Sequence, residues 1–374
     1  MRRSRAGTRP DVDERFMERA LALAARGLGR TSPNPPVGAV FVRDGQIVGE
    51  GFHRQAGGPH AEIVALRQAG ARAHGADLYV TLEPCAHHGR TPPCAAALAP
   101  LGLRRVVVAM RDPNPRVRGR GLRMLRAAGA RVSVGQGAGA AEELVAGHRS
   151  VVERGRPWTV LKLGTSLDGR IGTASGRSRW ITGPRARRRG QELRGMADAI
   201  LVGARTVRAD DPHLTCRIPG RRQPVRVVVA GVHPGLPDRA HVLRDGLAPT
   251  WVVVPRGASR AATAKLRRQG VEVIEIGGDA RRVAFGPLAR TLAARGITRL
   301  LIEGGGQVAA AALRARIVDE VAIFLAPMLI GADGVAAIGP LALRSLARAV
   351  HVDDLRVERV GPDLLVCAHV RHAR

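Results

Sequence analysis

Short apolar runs rich in β-branched residues recur along this chain, with stretches of helical spacing between them, and no other feature restricts the fold so strongly. Residues 37–42 and 47–52 read as strands joined at Arg43-Asp44-Gly45-Gln46, where Asp-Gly supplies a hairpin turn. Then 61–69 reads as a helix, 78–82 as a strand, 95–101 as a helix, 106–110 as a strand, 121–128 as a helix and 131–134 as a strand. A helix over 11–28 precedes them, with Phe16, Ala20, Leu23 and Ala24 on one side. Strands that alternate with helices need crossover connections, which implies a layered α/β unit with a largely parallel sheet.

A Gly/Ala-rich stretch, 135–141, leads into a polar helical segment that ends near Arg154, and a second series begins at Trp158. Its strands are expected at 160–163, 200–202, 225–229, 251–254, 271–276, 300–302 and 321–326, with helices at 185–194, 261–268, 287–294 and 308–314. The halves show no internal repeat, and 374 residues suit two domains, expected at 1–150 and 151–374. Aromatics are 2% of the chain, so both cores must rest on Ala, Val, Leu and Ile.

The net charge of +29 raises the question of an anionic partner. Almost all of the excess is arginine, since only Lys162 and Lys265 are lysines, and it is spread along the chain as on ordinary solvated faces. Nonspecific single-strand binders add stacking aromatics to such charge. Here there are one Tyr and five Phe, so no nucleic-acid partner is expected. No apolar run approaches the ~20 residues of a membrane span, and the arginine-rich start is unlike a secretory signal, so a cytoplasmic protein without a membrane partner is expected. Four cysteines make no disulfide framework in a chain this long.

Two of those cysteines carry chemistry. His60-Ala61-Glu62 is followed by Glu83-Pro84-Cys85 and Pro92-Pro93-Cys94. One imidazole and two thiolates form a zinc set that leaves a coordination position open, so His60, Cys85 and Cys94 are the expected ligands of Zn2+. Glu62, two residues after the histidine, is the expected proton carrier, as in the H-x-E … P-C-x-x-C deaminases of nucleobases. The spacing departs from that signature: eight residues separate Cys85 from Cys94 where base deaminases have two. The insert brings His87 and Arg90 beside the metal. A nucleic-acid base deaminase with an accessory domain is the alternative reading, and the wide cysteine spacing argues against it.

In the second half, Glu303-Gly304-Gly305-Gly306 follows a strand and precedes a helix, which suits close backbone approach to a phosphate. It is not G-x-G-x-x-G, so no Rossmann site is implied. Lys162 is notable because this chain has almost no lysine, and it sits within a strand.

Residues 81–94, TLEPCAHHGRTPPC, resemble the signature of the bifunctional riboflavin-biosynthesis deaminase/reductases. So do SPNPPVGAV at 32–40, DPNPRVRGRG at 112–121, LKLGTSLDGR at 161–170, Trp180-Ile181-Thr182 and Ala209-Asp210-Asp211-Pro212, covering nearly the whole chain. The resemblance implies a cytidine-deaminase-like three-layer domain followed by a dihydrofolate-reductase-like α/β domain. It implies deamination of a phosphorylated diaminopyrimidinone, then NADPH-dependent reduction of its ribosyl group. Implied substrate contacts are Asn34, His53, His87 and Arg90 in the first domain and Lys162, Ser178, Arg194, Leu214, Arg217 and Glu303 in the second. Implied cofactor contacts are Gly164, Trp180, Thr206, Asp210, Gly231, Gly305 and Gly306. Arg194 and Arg217 suit phosphate clamps, since guanidinium matches phosphate bidentately. Lys162 and Asp210 are both suited to handle protons during sugar-ring opening, and the sequence does not choose between them. At Ala230-Gly231 the chain departs from the family, whose members more commonly carry Asp and a small polar residue there. A homo-oligomer is compatible with the sequence, which fixes no subunit number.

Overall fold

Residues 12–86, 92–115, 117–277 and 280–372 are described by the computed structural model, and the chain divides into two units, Met1–Arg154 and Gly155–Arg374. In the first, β1 (Gly38–Arg43), β2 (Gln46–Phe52), β3 (Asp77–Val80), β4 (Arg105–Val108) and β5 (Arg131–Val134) form one sheet in the order β2-β1-β3-β4-β5. The sheet is mixed rather than largely parallel. The hairpin turns at Asp44 and Gly45, both at positive φ, and β1 is antiparallel to β2 and to β3. Only β3, β4 and β5, which are joined through helices, run parallel.

Strand period decides the layers, because successive side chains point to opposite faces. Val40, Val42, Tyr79 and Val107 pack against Phe16, Met17, Ala20 and Leu23 of α1 (Val12–Ala25) and Ala141 of α5 (Ala138–Arg154). Their neighbours Ala39, Phe41, Leu78, Val80, Val106 and Val108 face α2 (Ala61–Ala69), α3 (Cys94–Leu98) and α4 (Arg120–Ala127). The result is three layers, helix–sheet–helix. Because β3 and β4 are parallel, the segments that leave their carboxyl ends emerge at the same edge of the sheet.

The second unit holds a nine-stranded sheet, ordered β11-β10-β9-β8-β12-β6-β13-β16-β15. The parallel strands are β6 (Trp158–Ser166), β8 (Ala199–Gly203), β9 (Val225–Val229), β10 (Thr250–Pro255), β11 (Glu272–Ile276), β12 (Arg299–Ile302) and β13 (Glu320–Ala326). Leu161, Leu201, Val227 and Val253 pack toward α10 (Phe285–Ala294) and α11 (Gly306–Arg314). Ile200, Val202, Val228 and Val252 pack toward α7 (Ala204–Asp210), α8 (His241–Arg244) and α9 (Arg260–Arg268). Ala186 and Leu193 of α6 (Pro184–Met196) lie against Ala322, Phe324 and Leu365.

Four strands are absent from the sequence reading. β7 (Arg170–Gly172) and β14 (Val335–Ala336) form a small separate ribbon, too short to show any periodicity. β15 (Val352–Val360) and β16 (Asp363–Val370) form an antiparallel hairpin that extends the main sheet past β13. β15 reads VDDLRVERV and is largely exposed on both faces until Val360, so it carries no alternating inward-facing apolar set.

Candidate active sites

The first site assembles where α2 begins. His60 occupies the N-cap position of α2 in extended conformation, which sends Glu62 into the first helical turn and down into the core, where it is 3% exposed. Cys85 lies in the segment after β3, and Cys94 is the first residue of α3. The ligand atoms of His60, Cys85 and Cys94 lie within 4.8 Å of one another. His60 Nδ1 is 3.2 Å from Cys94 Sγ and 3.6 Å from Cys85 Sγ, and the Cys94 backbone N–H donates to Cys85 Sγ at 3.3 Å. Hydrogen bonding from Cys94 drives the Cys85 thiol down to about 4 against its burial, while that bond and burial push Cys94 up. The hydrogen bond with Cys85 raises His60. Burial pushes the Glu62 carboxyl up to about 7.

A cavity of about 310 Å³ opens onto this cluster, lined by Asn34, His53, His60, Glu62 and Cys85 together with Asp112, Asn114, Val117 and His148. His53 meets the Pro59 carbonyl through Nδ1 at 3.0 Å and Asn34 Nδ2 through Nε2 at 3.1 Å. A carbonyl only accepts, so Nδ1 carries the proton and Nε2 accepts from Asn34. Burial lowers the His53 pKa, which favours this neutral tautomer. His87 and Arg90 lie outside the described residues. Asp112, Asn114 and His148 were not among the expected site residues. Asp112-Pro113-Asn114-Pro115 was a usable signal, two polar side chains in a proline-stiffened turn, whereas His148 sits in a polar helix with none.

The second site lies on the parallel sheet of the second unit, in a cavity of about 840 Å³. Lys162 and Gly164 are alternate residues of β6 and share its cavity face. Glu303 follows β12 directly, and Arg194 reaches it from α6. Arg194 Nε and Nη2 donate to the two Glu303 oxygens at 2.7 and 2.9 Å, and Lys162 Nζ is 4.0 Å from Glu303 Oε2. Burial alone raises a carboxyl, but Arg194 and Lys162 outweigh it and hold Glu303 at about 2. Ser178 Oγ donates to Asp210 Oδ1 at 3.0 Å, and Arg179 donates to the Asp210 carbonyl. Thr206, Leu214, Gly231, Gly305 and Gly306 line the same cavity. Gly305 is the N-cap of α11, and a Cβ at Gly306 would come within 2.4 Å of the Ala336 carbonyl oxygen, so the backbone is packed tightly where the helix starts.

Two expected residues lie outside this lining. Trp180 is 65% exposed beneath the Arg187 guanidinium, 4.4 Å from the ring centroid, and Arg217 is exposed with its backbone N–H held by Gln191. Arg194 does line the cavity, but its fork is engaged by Glu303 and by the Thr215 carbonyl, so a phosphate reaches it only by displacing that pairing. Exposed Arg205 and Arg282 at the cavity wall were not expected there.

Fold and sites together define a two-domain enzyme, a metal-dependent deaminase joined to an α/β reductase. The family model for the cytidine and deoxycytidylate deaminase zinc-binding region matches residues 10–110, and that for the RibD C-terminal domain matches residues 157–366. The riboflavin biosynthesis protein RibD of Escherichia coli strain K12 is 44% identical over 371 residues, 96% of this chain and 99% of that protein. RibD of Bacillus amyloliquefaciens is 41% identical over 359 residues, 96% of each chain. Among solved structures, Acinetobacter baumannii RibD, form 1, has a TM-score of 0.86 at 39% identity, covering 96% of this chain and 99% of that one. A Thermotoga maritima diaminohydroxyphosphoribosylaminopyrimidine deaminase/5-amino-6-(5-phosphoribosylamino)uracil reductase has a TM-score of 0.86 at 35% identity over the same shares. The chain belongs to the RibD family of bifunctional deaminase/reductases of riboflavin biosynthesis, and the nucleic-acid deaminase alternative is not favoured. No helix among the described residues is long and apolar enough to cross a membrane.

Proposed function

We propose that the first unit hydrolytically deaminates 2,5-diamino-6-ribosylamino-4(3H)-pyrimidinone 5′-phosphate and that the second uses NADPH to reduce the ribosyl group of the product to ribityl, in the cytoplasm. The observation that carries the reading is the convergence of His60, Cys85 and Cys94 beside the buried carboxyl of Glu62. The donor set fits zinc: one imidazole and two sulfurs, of which Cys85 is already driven toward thiolate. His60, Cys85 and Cys94 would hold the zinc, which would supply a Lewis acid able to make water nucleophilic near neutral pH. Glu62 would carry one proton of the attacking water to the ring nitrogen and then the other, from the hydroxyl newly bound to carbon, to the departing ammonia. A carboxyl that titrates at about 7 is suited to taking and giving a proton at neutrality. Asn34, oriented by the neutral His53 ring, holds the ring edge in the cavity.

In the second unit the large cavity, the glycine-lined start of α11 and the open space beside Gly231 fit an extended dinucleotide. NADPH held there by the start of α11 and the segment at Gly231 would supply the hydride for the sugar carbon that bears the amine. Lys162, Ser178 and Asp210 line this cavity, where Lys162 or Asp210 would supply the proton that the opening sugar ring needs, and Glu303 pairs with Arg194 and Lys162. The test follows ammonia release and NADPH oxidation separately with zinc-loaded enzyme. Ammonia release before NADPH oxidation is the expected order, and oxidation of the undeaminated substrate would overturn it.

A further inference from the structure

Glu83 is a buried carboxylate of the deaminase cavity to which the chemistry above gives no task. It is 3% exposed and lies two residues before Cys85. Among the described residues its hydrogen-bond partners are all backbone N–H groups. Gly119 and Asp112 donate to Oε2 at 2.9 and 3.4 Å, and Gly121 and Leu122 donate to Oε1 at 3.1 and 3.5 Å.

These donors sit at the two ends of one loop. Asp112 opens it, and Gly119, Gly121 and Leu122 belong to the start of α4. The N-cap of α4 is Gly119, which has no side chain to cap the helix, and Glu83 takes that role from 36 residues away. Between the tethered ends hang Asn114 and Val117, which line the cavity with Asp112. Asp112 Oδ1 in turn accepts from the Asn114 backbone N–H at 2.8 Å, stiffening the turn from within. Gly121 seats α4 directly on the cysteine-bearing segment, where a Cβ would come within 2.0 Å of the Pro84 carbonyl oxygen. The polar wall and the metal donors are therefore joined through three consecutive residues, Glu83-Pro84-Cys85.

We propose that Glu83 is a positioning residue for deamination: its carboxylate fork fixes Asp112 and Asn114 at a set distance from the metal donors and Glu62, and so governs substrate affinity. It touches neither the metal donors nor the transferred proton. This inference rests on the deaminase reading above.

The test compares full-length, zinc-loaded wild type with Glu83→Gln and Glu83→Asp, following ammonia release against concentration of the diaminopyrimidinone phosphate. Gln presents an NH2 group where backbone N–H groups need an acceptor, so one side of the fork opens. The expected result for Glu83→Gln is a KM raised tenfold or more and kcat within threefold of wild type. Zinc should stay at one per chain, and NADPH oxidation with deaminated substrate should be unchanged in the same preparation. Glu83→Asp keeps the charge and should recover part of the KM. A KM within twofold of wild type, a fall in kcat alone, or loss of zinc would each overturn the assignment. If Glu83→Gln does not fold, Glu83→Asp decides: a raised KM with zinc retained supports the role, and an unchanged KM overturns it. A wild type that releases no ammonia would instead overturn the deaminase reading itself.

Discussion

Glu303→Gln isolates the electrostatics of the reductase cavity with little change of shape. In the wild type one carboxylate serves two cations: Arg194 at 2.7 and 2.9 Å in a fork, and Lys162 at 4.0 Å. The Arg194 and Glu303 side chains are only 17% and 10% exposed, so water screens the pair poorly. A unit pair at 4 Å is worth about 4 kcal/mol at an effective dielectric of 20. Removing one member of a buried pair costs about 3–5 kcal/mol, because the other is left uncompensated. For a unit of this size each kcal/mol moves the melting temperature by roughly 2–4 °C, so a drop of about 10 °C is expected by calorimetry. The pH dependence follows from the Glu303 pKa of about 2, depressed from the unfolded value. Stability from a depressed carboxyl is fully present above the unfolded value and is lost as pH falls through the folded one. The gap between wild type and variant should thus be constant from about pH 8 to 5 and close toward pH 2. The double variant Arg194→Met/Glu303→Gln removes the stranded guanidinium and should recover most of the loss. A Glu303→Gln destabilisation under about 1 kcal/mol, or a double variant as unstable as the sum of its singles, would refute the reasoning.

Glu62→Gln should retain zinc by metal analysis yet release ammonia at least about 100-fold more slowly, the ordinary scale of general acid–base catalysis. In metal-stripped protein Glu62 titrates near 7 when folded and about 4.3 when unfolded, so the folded chain holds the extra proton in that window. The contribution of Glu62, read as the stability difference between wild type and Glu62→Gln in denaturant melts, should fall as pH rises from about 4.5 through 7 and stay level above. Asp198→Ala should destabilise the second unit by about 3 kcal/mol in urea. One buried oxygen there accepts from Thr298 N, Thr298 Oγ1 and Arg299 N at 2.8–2.9 Å, tying β8 to β12, and the substitution strands those donors.

What the sequence disclosed follows the range of the forces involved. The β1–β2 hairpin is a local matter of Asp44-Gly45, and α2 needs only its own spacing and His60 before it. β15 became a strand for a nonlocal reason: β16 supplies its ladder, and its own charged sequence supplies no pattern. β6 likewise runs on to Ser166 because β13 pairs with it from Val160 to Ser166. The metal donors were legible because His, Cys and Glu at those positions carry chemistry wherever they meet. The Arg194–Glu303 pair spans 109 residues and left no local sign, so Arg194 read as a free phosphate clamp. Glu83 was hidden for a different reason: its partners are backbone groups, which look alike in any sequence.

The two buried glutamates of the active sites show how environment assigns roles to one residue type. Burial dominates at Glu62 and lifts it to about 7 in the metal-free site, which suits the proton carrier proposed above. Glu303 is also buried, but two cations hold it at about 2, which leaves it an anion throughout that range. A fixed anion orients neighbouring cations but does not donate the proton that sugar-ring opening requires. On the function proposed above, that task is assigned to Lys162 or to Asp210, which is held by the Ser178 hydroxyl. The reductase pH profile of wild type between about pH 5 and 9 should therefore carry no step due to Glu303. Loss of NADPH oxidation in Lys162→Met but not in Asp210→Asn would assign the proton to the lysine, and the reverse pattern would assign it to Asp210. A step that disappears only in Glu303→Gln would show that the cations do not hold Glu303 as the geometry requires.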